Sequence, residues 1–91
     1  MTTIRITQLA GQSYSVAIDA GTPTTHVVTV DPEYARTLTG GTMSIEDLLR
    51  QSFEFLLERE PNTSILRSFD LPLIGRYFPE YERTIRARMH D

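Results

Sequence analysis

Ser44-Ile45-Glu46-Asp47-Leu48-Leu49-Arg50-Gln51-Ser52-Phe53-Glu54-Phe55-Leu56-Leu57-Glu58-Arg59-Glu60-Pro61 is the stretch that sets the architecture of this chain. Ser44 can accept a hydrogen bond from an unpaired first-turn amide, Glu46 and Asp47 complement the positive end of the helix dipole, and Pro61 forbids continuation. Between those signals, Ile45, Leu48, Leu49, Phe53, Phe55 and Leu56 fall within roughly 160° of arc at 100° per residue, with Arg50, Gln51, Glu54 and Glu58 opposite. The spacing predicts an amphipathic helix over 45–60 that covers one face of another layer.

That layer is read from the residues before it. Ten of the twelve threonines and all four valines precede residue 43, whereas all four phenylalanines and seven of the nine leucines follow it. β-Branched residues suit a pleated, half-buried surface, and leucine loses little rotamer freedom in a helix. Ile4-Arg5-Ile6-Thr7-Gln8-Leu9 and Tyr14-Ser15-Val16-Ala17-Ile18 alternate with period two around Ala10-Gly11-Gln12, a hairpin pattern. Asp19 to Pro23 supplies turn chemistry before a third strand, His26-Val27-Val28-Thr29-Val30. Asp31 before Pro32 marks a helix start running to Leu38, and Thr39-Gly40-Gly41-Thr42 closes it. Beyond Pro61, Asn62-Thr63 is expected to cap a short helix Ser64–Phe69, Asp70 another over Leu71–Phe78, and Pro79 to open a last one whose apolar stripe is Phe78, Tyr81, Ile85 and Met89. The expectation is one α+β domain over 1–91: a three-stranded antiparallel sheet in the N-terminal half, packed on one long and several short helices.

Composition narrows the function. At 91 residues the chain should bury roughly 60–70% of its extended surface, which leaves a small core. Cysteine is absent, so disulfides, thiolate metal sites and cysteine nucleophiles are excluded. His26 and His90 lie far apart in sequence with no local ligand partner, and neither a metal nor a cofactor is expected. Nine arginines, no lysine, twelve acidic residues and a net charge of −3 argue against a general basic surface. No window is apolar enough to span a membrane, and the opening Met-Thr-Thr-Ile-Arg lacks a signal-peptide pattern, so the expected setting is the cytoplasm.

The run Phe53-Glu54-Phe55-Leu56-Leu57-Glu58-Arg59-Glu60-Pro61, followed by Ser64-Ile65-Leu66, Phe69-Asp70-Leu71, Ile74 and Tyr77-Phe78-Pro79-Glu80-Tyr81, resembles a family of small uncharacterised bacterial proteins. The resemblance covers about the last half of the chain. It implies a stand-alone bacterial cytoplasmic protein and carries no activity with it.

Arg59 is the anomaly on the main helix: it projects at about 320°, inside the apolar arc. A charge there must be paired or reach water. It either binds an anion or a partner in a cleft, or lays its stem over apolar surface, meets helix-end carbonyls and pairs with Asp70, Glu80 or Glu82; the second reading is preferred. The row Glu46, Arg50, Glu54, Glu58 reads as a solvated charged face. Gly40-Gly41-Thr42-Met43-Ser44 lacks the lysine and spacing of a phosphate loop and reads as a connector. Arg83, Arg86 and His90 share one face of the last helix, and Ser64 to Arg76 has a helix–turn–helix outline with Arg76 as the lone cation of its second helix. Aromatic side chains concentrate at Phe69, Tyr77, Phe78 and Tyr81.

These features point to a non-enzymatic protein-interaction or regulatory module that meets a protein partner or a second copy through Arg59, Arg76, Tyr77, Phe78, Tyr81, Arg83 and Arg86, because tyrosine and arginine suit interface anchors. A dimeric nucleic-acid-binding regulator using the C-terminal arginines is the less favoured alternative. A small enzyme with a cleft around Arg59 is the third.

Overall fold

The computed structural model describes residues 2–89, apart from the Met89 side chain. Expectations for His90 and for the Met89 end of the last apolar stripe lie outside the described residues.

The protein is α+β, with a mixed four-stranded sheet in the order β1 (Thr3–Gln8), β2 (Ser13–Asp19), β3 (Thr24–Thr29), β4 (Ser68–Asp70). The first three strands form the expected antiparallel meander, with Gln8 opposite Tyr14 and Val16 opposite His26. Tyr14, Val16, Ile18, His26 and Val28 are buried on one face, as period-two alternation requires. The opposite face carries Arg5, Thr7, Ser15, Ala17, Thr25 and Val27.

Asp31 caps α1 (Pro32–Thr39) through a 2.9 Å bond from the Glu33 amide to Oδ1, and Gly40 closes the helix at φ 69°, a conformation that glycine adopts without a Cβ penalty. Ser44 caps α2 (Ile45–Leu57), accepting from the Asp47 amide at 3.1 Å. Regular helix ends at Leu57 rather than Glu60, because Arg59 and Glu60 both turn their amides onto the Leu56 carbonyl and tighten the last turn before Pro61. Leu48, Leu49, Phe53, Phe55 and Leu56 are buried against the sheet and the later helices. Each contributes about 1.5–3 kcal/mol by leaving water.

The region after Pro61 departs from expectation. In place of a helix over Ser64–Phe69 there is a single 3-10 turn, Asn62–Ser64, followed by β4, which runs parallel to β3 with Phe69 beside Val28. The cause is non-local. The outer edge of β3 offers amides and carbonyls that need partners, and it takes them as Val27 N–H to the Arg67 carbonyl at 2.7 Å and Leu71 N–H to the Thr29 carbonyl at 3.0 Å. The sheet therefore has four strands and mixed direction, not three and antiparallel. Asp70 accordingly lies in a strand instead of capping a helix, and α3 (Leu73–Tyr77) starts after Pro72 with no side-chain cap. A helix–turn–helix over 64–76 is not formed. The last helix, α4 (Tyr81–Met89), packs Tyr81 and Ile85 inward.

Candidate functional site

Arg59 takes the structural course. Its guanidinium carbon sits 3.6 Å above the centre of the Phe55 ring, Nη1 donates to the Phe55 carbonyl at 3.1 Å, and Nε meets Glu80 at 3.2 Å. Glu58 adds a further contact at 3.3 Å and is itself held by Arg88 through two 2.8 Å bonds. This chain of charges ties the end of α2 to the start and the end of α4. Glu80 is held below its ordinary carboxylate value, first by its own backbone N–H and then by Arg59 and Arg83. It is partly exposed and its carboxyl is shifted down, the opposite of the raised, proton-holding carboxyl that a general acid uses. Arg59 lies on a ring and between carboxylates, and it lines neither of the two grooves described below.

Tyr81 is also corrected. It is wholly buried, its ring edge-on to Phe55 at 5.4 Å, and its hydroxyl donates at 2.6 Å to Ser52 Oγ, which in turn donates to the Leu48 carbonyl. It is a core residue with a satisfied polar tip and offers nothing to a partner. Burial pushes its phenol up, with the Ser52 bond opposing and Glu82 assisting. Phe78 is half-buried and edge-to-face with Phe55. Tyr77 stands 66% exposed, and Arg76 beside it is exposed as well. On α4, Arg83 and Arg86 are exposed, and the carboxylates of Glu80 and Glu82 immediately precede them. Glu82 accepts from the Tyr34 hydroxyl at 2.8 Å, linking α1 to α4.

Two of the expected residues, Tyr77 and Phe78, meet in a groove of about 260 Å³ between the segment 64–66 and α3, lined also by Leu56, Ile65, Leu66, Phe69 and Leu73. Its walls are mainly apolar, and both Leu66, 48% exposed, and Tyr77 line it. Leu66 escaped sequence reading because a helical Ser64–Phe69 segment gave it no distinct position; Phe69 was legible only as part of the aromatic concentration.

A second groove, about 350 Å³, lies on the other side of the 62–67 segment and shares Ile65 with the first. Its floor is an ordered polar chain. Asn62 Nδ2 donates to the Thr22 carbonyl and to Thr24 Oγ1, both at 2.8 Å; Thr24 Oγ1 lies 2.9 Å from His26 Nε2; and His26 Nδ1 lies 2.7 Å from the Leu66 carbonyl. A carbonyl only accepts, so Nδ1 carries the proton, and in the neutral ring Nε2 accepts from Thr24. His26 is thus the strut that holds the 62–67 segment against β3, a role invisible while His26 and Asn62 stood 36 residues apart with no motif between them. Replacing Asn62 by Ala is expected to cost about 1–3 kcal/mol by removing two bonds at a buried site, read as a lower midpoint in denaturant unfolding. An unchanged midpoint would show that the chain of bonds does not hold the segment.

Among the described residues, no group of three or more His, Asp or Glu side chains could hold a metal, and no helix is long and apolar enough to cross a membrane. No protein-family model matches the chain, and neither a curated protein nor a solved structure does.

Proposed function

We propose that the chain is a protein-interaction module that receives a partner's apolar side chains in the groove between Leu66 and Tyr77. The observation that carries this reading is the pairing of a concave apolar surface with two large, solvent-exposed apolar side chains on its rims. Scattered exposed leucines and tyrosines are ordinary, but two that line one groove together with Phe69, Leu73 and Phe78 form an apolar patch of the kind that marks interaction sites. The tyrosine is also the residue type most suited to anchor such a contact, and exposed Arg76 next to it adds a charged rim. The same proposal sets the module in a bacterial cytoplasm, in line with the resemblance of its second half to small bacterial proteins. The arginines of α4 give less support to a nucleic-acid surface, since Glu80 and Glu82 adjoin Arg83 and Glu58 holds Arg88.

The test is quantitative affinity capture with the wild-type chain, a Leu66→Asp/Tyr77→Ser variant and an Arg83→Ala/Arg86→Ala variant. All four side chains are exposed, so folding stability should stay within roughly 0.5 kcal/mol. The groove variant is expected to lose its partner by more than about tenfold, as for two interface anchors, while the arginine variant keeps it. Equal capture by the groove variant and the wild type would remove the proposal, and loss only in the arginine variant would favour nucleic acid.

A further inference from the structure

The second groove has a chemistry that the docking reading does not use. It is lined by Thr22, Thr24, Thr25, Thr63, Asn62 and Arg67, with no carboxylate in its walls, although acidic residues outnumber basic ones twelve to nine in the chain. Arg67 lines the groove, is exposed, and takes part in none of the ion pairs among the described residues, so no carboxylate already holds its guanidinium.

The backbone adds a donor. Along an antiparallel strand, successive residues turn their N–H and C=O groups to opposite sides. Gln12 accepts from the Val30 amide, so on β3 the residues in step with Val30, namely Val28, His26 and Thr24, face β2. Thr29, Val27 and Thr25 face the other way, which the bonds of Val27 and Thr29 to the Arg67–Leu71 segment confirm. Strand β4 begins opposite Val27, and upstream of it the chain turns aside so that the Leu66 carbonyl can meet His26. Thr25 therefore has no strand opposite it, and its N–H points into the groove.

We propose that this groove binds a small oxyanion, the carboxylate or phosphate group of a small molecule, held by the Arg67 guanidinium, the Thr25 N–H and threonine hydroxyls. Charge-assisted bonds from a guanidinium and a fixed amide are the strong contacts available to such a group. The Thr25 carbonyl points the same way and suits a hydroxyl or amide elsewhere on the ligand. A volume of about 350 Å³ exceeds what the anionic group alone requires and leaves room for an organic portion. The His26–Thr24–Asn62 chain beneath ties β3 to the 62–67 segment, so the Thr25 amide is in place before binding, and the exposed Arg67 side chain closes on the anion. The inference is independent of the apolar docking groove.

The experiment is a titration of the nitrogen-labelled full chain, followed by amide and arginine side-chain resonances, with inorganic phosphate and separately with acetate, each against chloride at matched ionic strength. Saturable shifts at Thr25, Thr63 and Arg67, with Arg83 and Arg86 moving no more than in chloride, are expected. Saturation by phosphate alone identifies a phosphate ester as the ligand class, and saturation by acetate alone a carboxylate. Arg67→Gln should weaken binding roughly tenfold while leaving resonances outside the groove in place. Shifts that merely follow ionic strength, equal shifts at Arg83 and Arg86, no saturation with either anion, or unchanged binding by a folded Arg67→Gln variant would each overturn it.

Discussion

Phe53→Ala is expected to lower the stability of the domain by about 3–5 kcal/mol, the largest effect of any single truncation considered for this core. Phe53 is completely buried at the centre of the sheet–helix interface, 5.6 Å from the His26 ring and 6.1 Å from the Phe69 ring. Its removal deletes apolar area and leaves a cavity that rigid neighbours close only in part, since His26 is fixed by hydrogen bonds at both ring nitrogens. It also withdraws support from Phe69, the inward residue of β4, and hence from one wall of the apolar groove. For a domain of this size such a loss approaches the whole of its stability, commonly about 5–10 kcal/mol. Urea or guanidinium unfolding followed by tyrosine fluorescence measures it directly. A loss below about 1 kcal/mol would mean that α2 does not anchor on the sheet through this ring.

Raising the pH past that of an ordinary tyrosine should destabilise the fold steeply. The Tyr81 phenol, buried against Phe55, has its proton held more tightly in the folded state than in the unfolded chain, where it ionises near 10. Above that value the unfolded state releases a proton that the folded state keeps. The contribution to stability is complete below about pH 10 and declines as pH rises toward the folded-state value, by about 1.4 kcal/mol per pH unit for one fully buried group. Tyr34 is shifted the same way, by burial and by its bond to Glu82, but it is only partly buried and solvent screens its share. Denaturant unfolding between pH 9 and roughly 11, with tyrosinate absorbance as a second readout, follows both. Tyr81→Phe should flatten the slope above pH 10; a wild-type stability that stays level through that range would contradict the buried phenol.

The residues that were legible in the sequence are those whose neighbours are also near in sequence. The Ser44 and Asp31 caps, the Gly40 stop, the alternation of β2 and the apolar arc of α2 are each decided by contacts within a few residues. The segment 62–71 was not legible, because β4 is three residues long and three residues cannot display a period. Its strand conformation comes from the unpaired edge of β3, some forty residues earlier. The site followed the same division. Tyr77, Phe78 and Tyr81 were visible as an aromatic concentration, and Tyr81 also as part of the apolar stripe of the last helix, but its bond to Ser52 depended on where α4 packs, and Leu66 became exposed only because the chain around it was extended. Arg59 could be placed over apolar surface from its angle on the helix, but its choice of Glu80 among three acidic candidates depended on where α4 packs.

By itself the sequence determined the class of the fold, the caps and faces of its longer elements and the absence of cysteine chemistry, since these follow from local conformational preference and from which side of each element is apolar. Only the tertiary structure decided that β3 acquires a parallel neighbour, that His26 braces it, and that two grooves of opposite character flank the 62–67 segment. The reason is that a sheet edge must satisfy its amides and carbonyls with whatever chain reaches it, and the partner so chosen is set by packing in three dimensions rather than by any pattern along the chain.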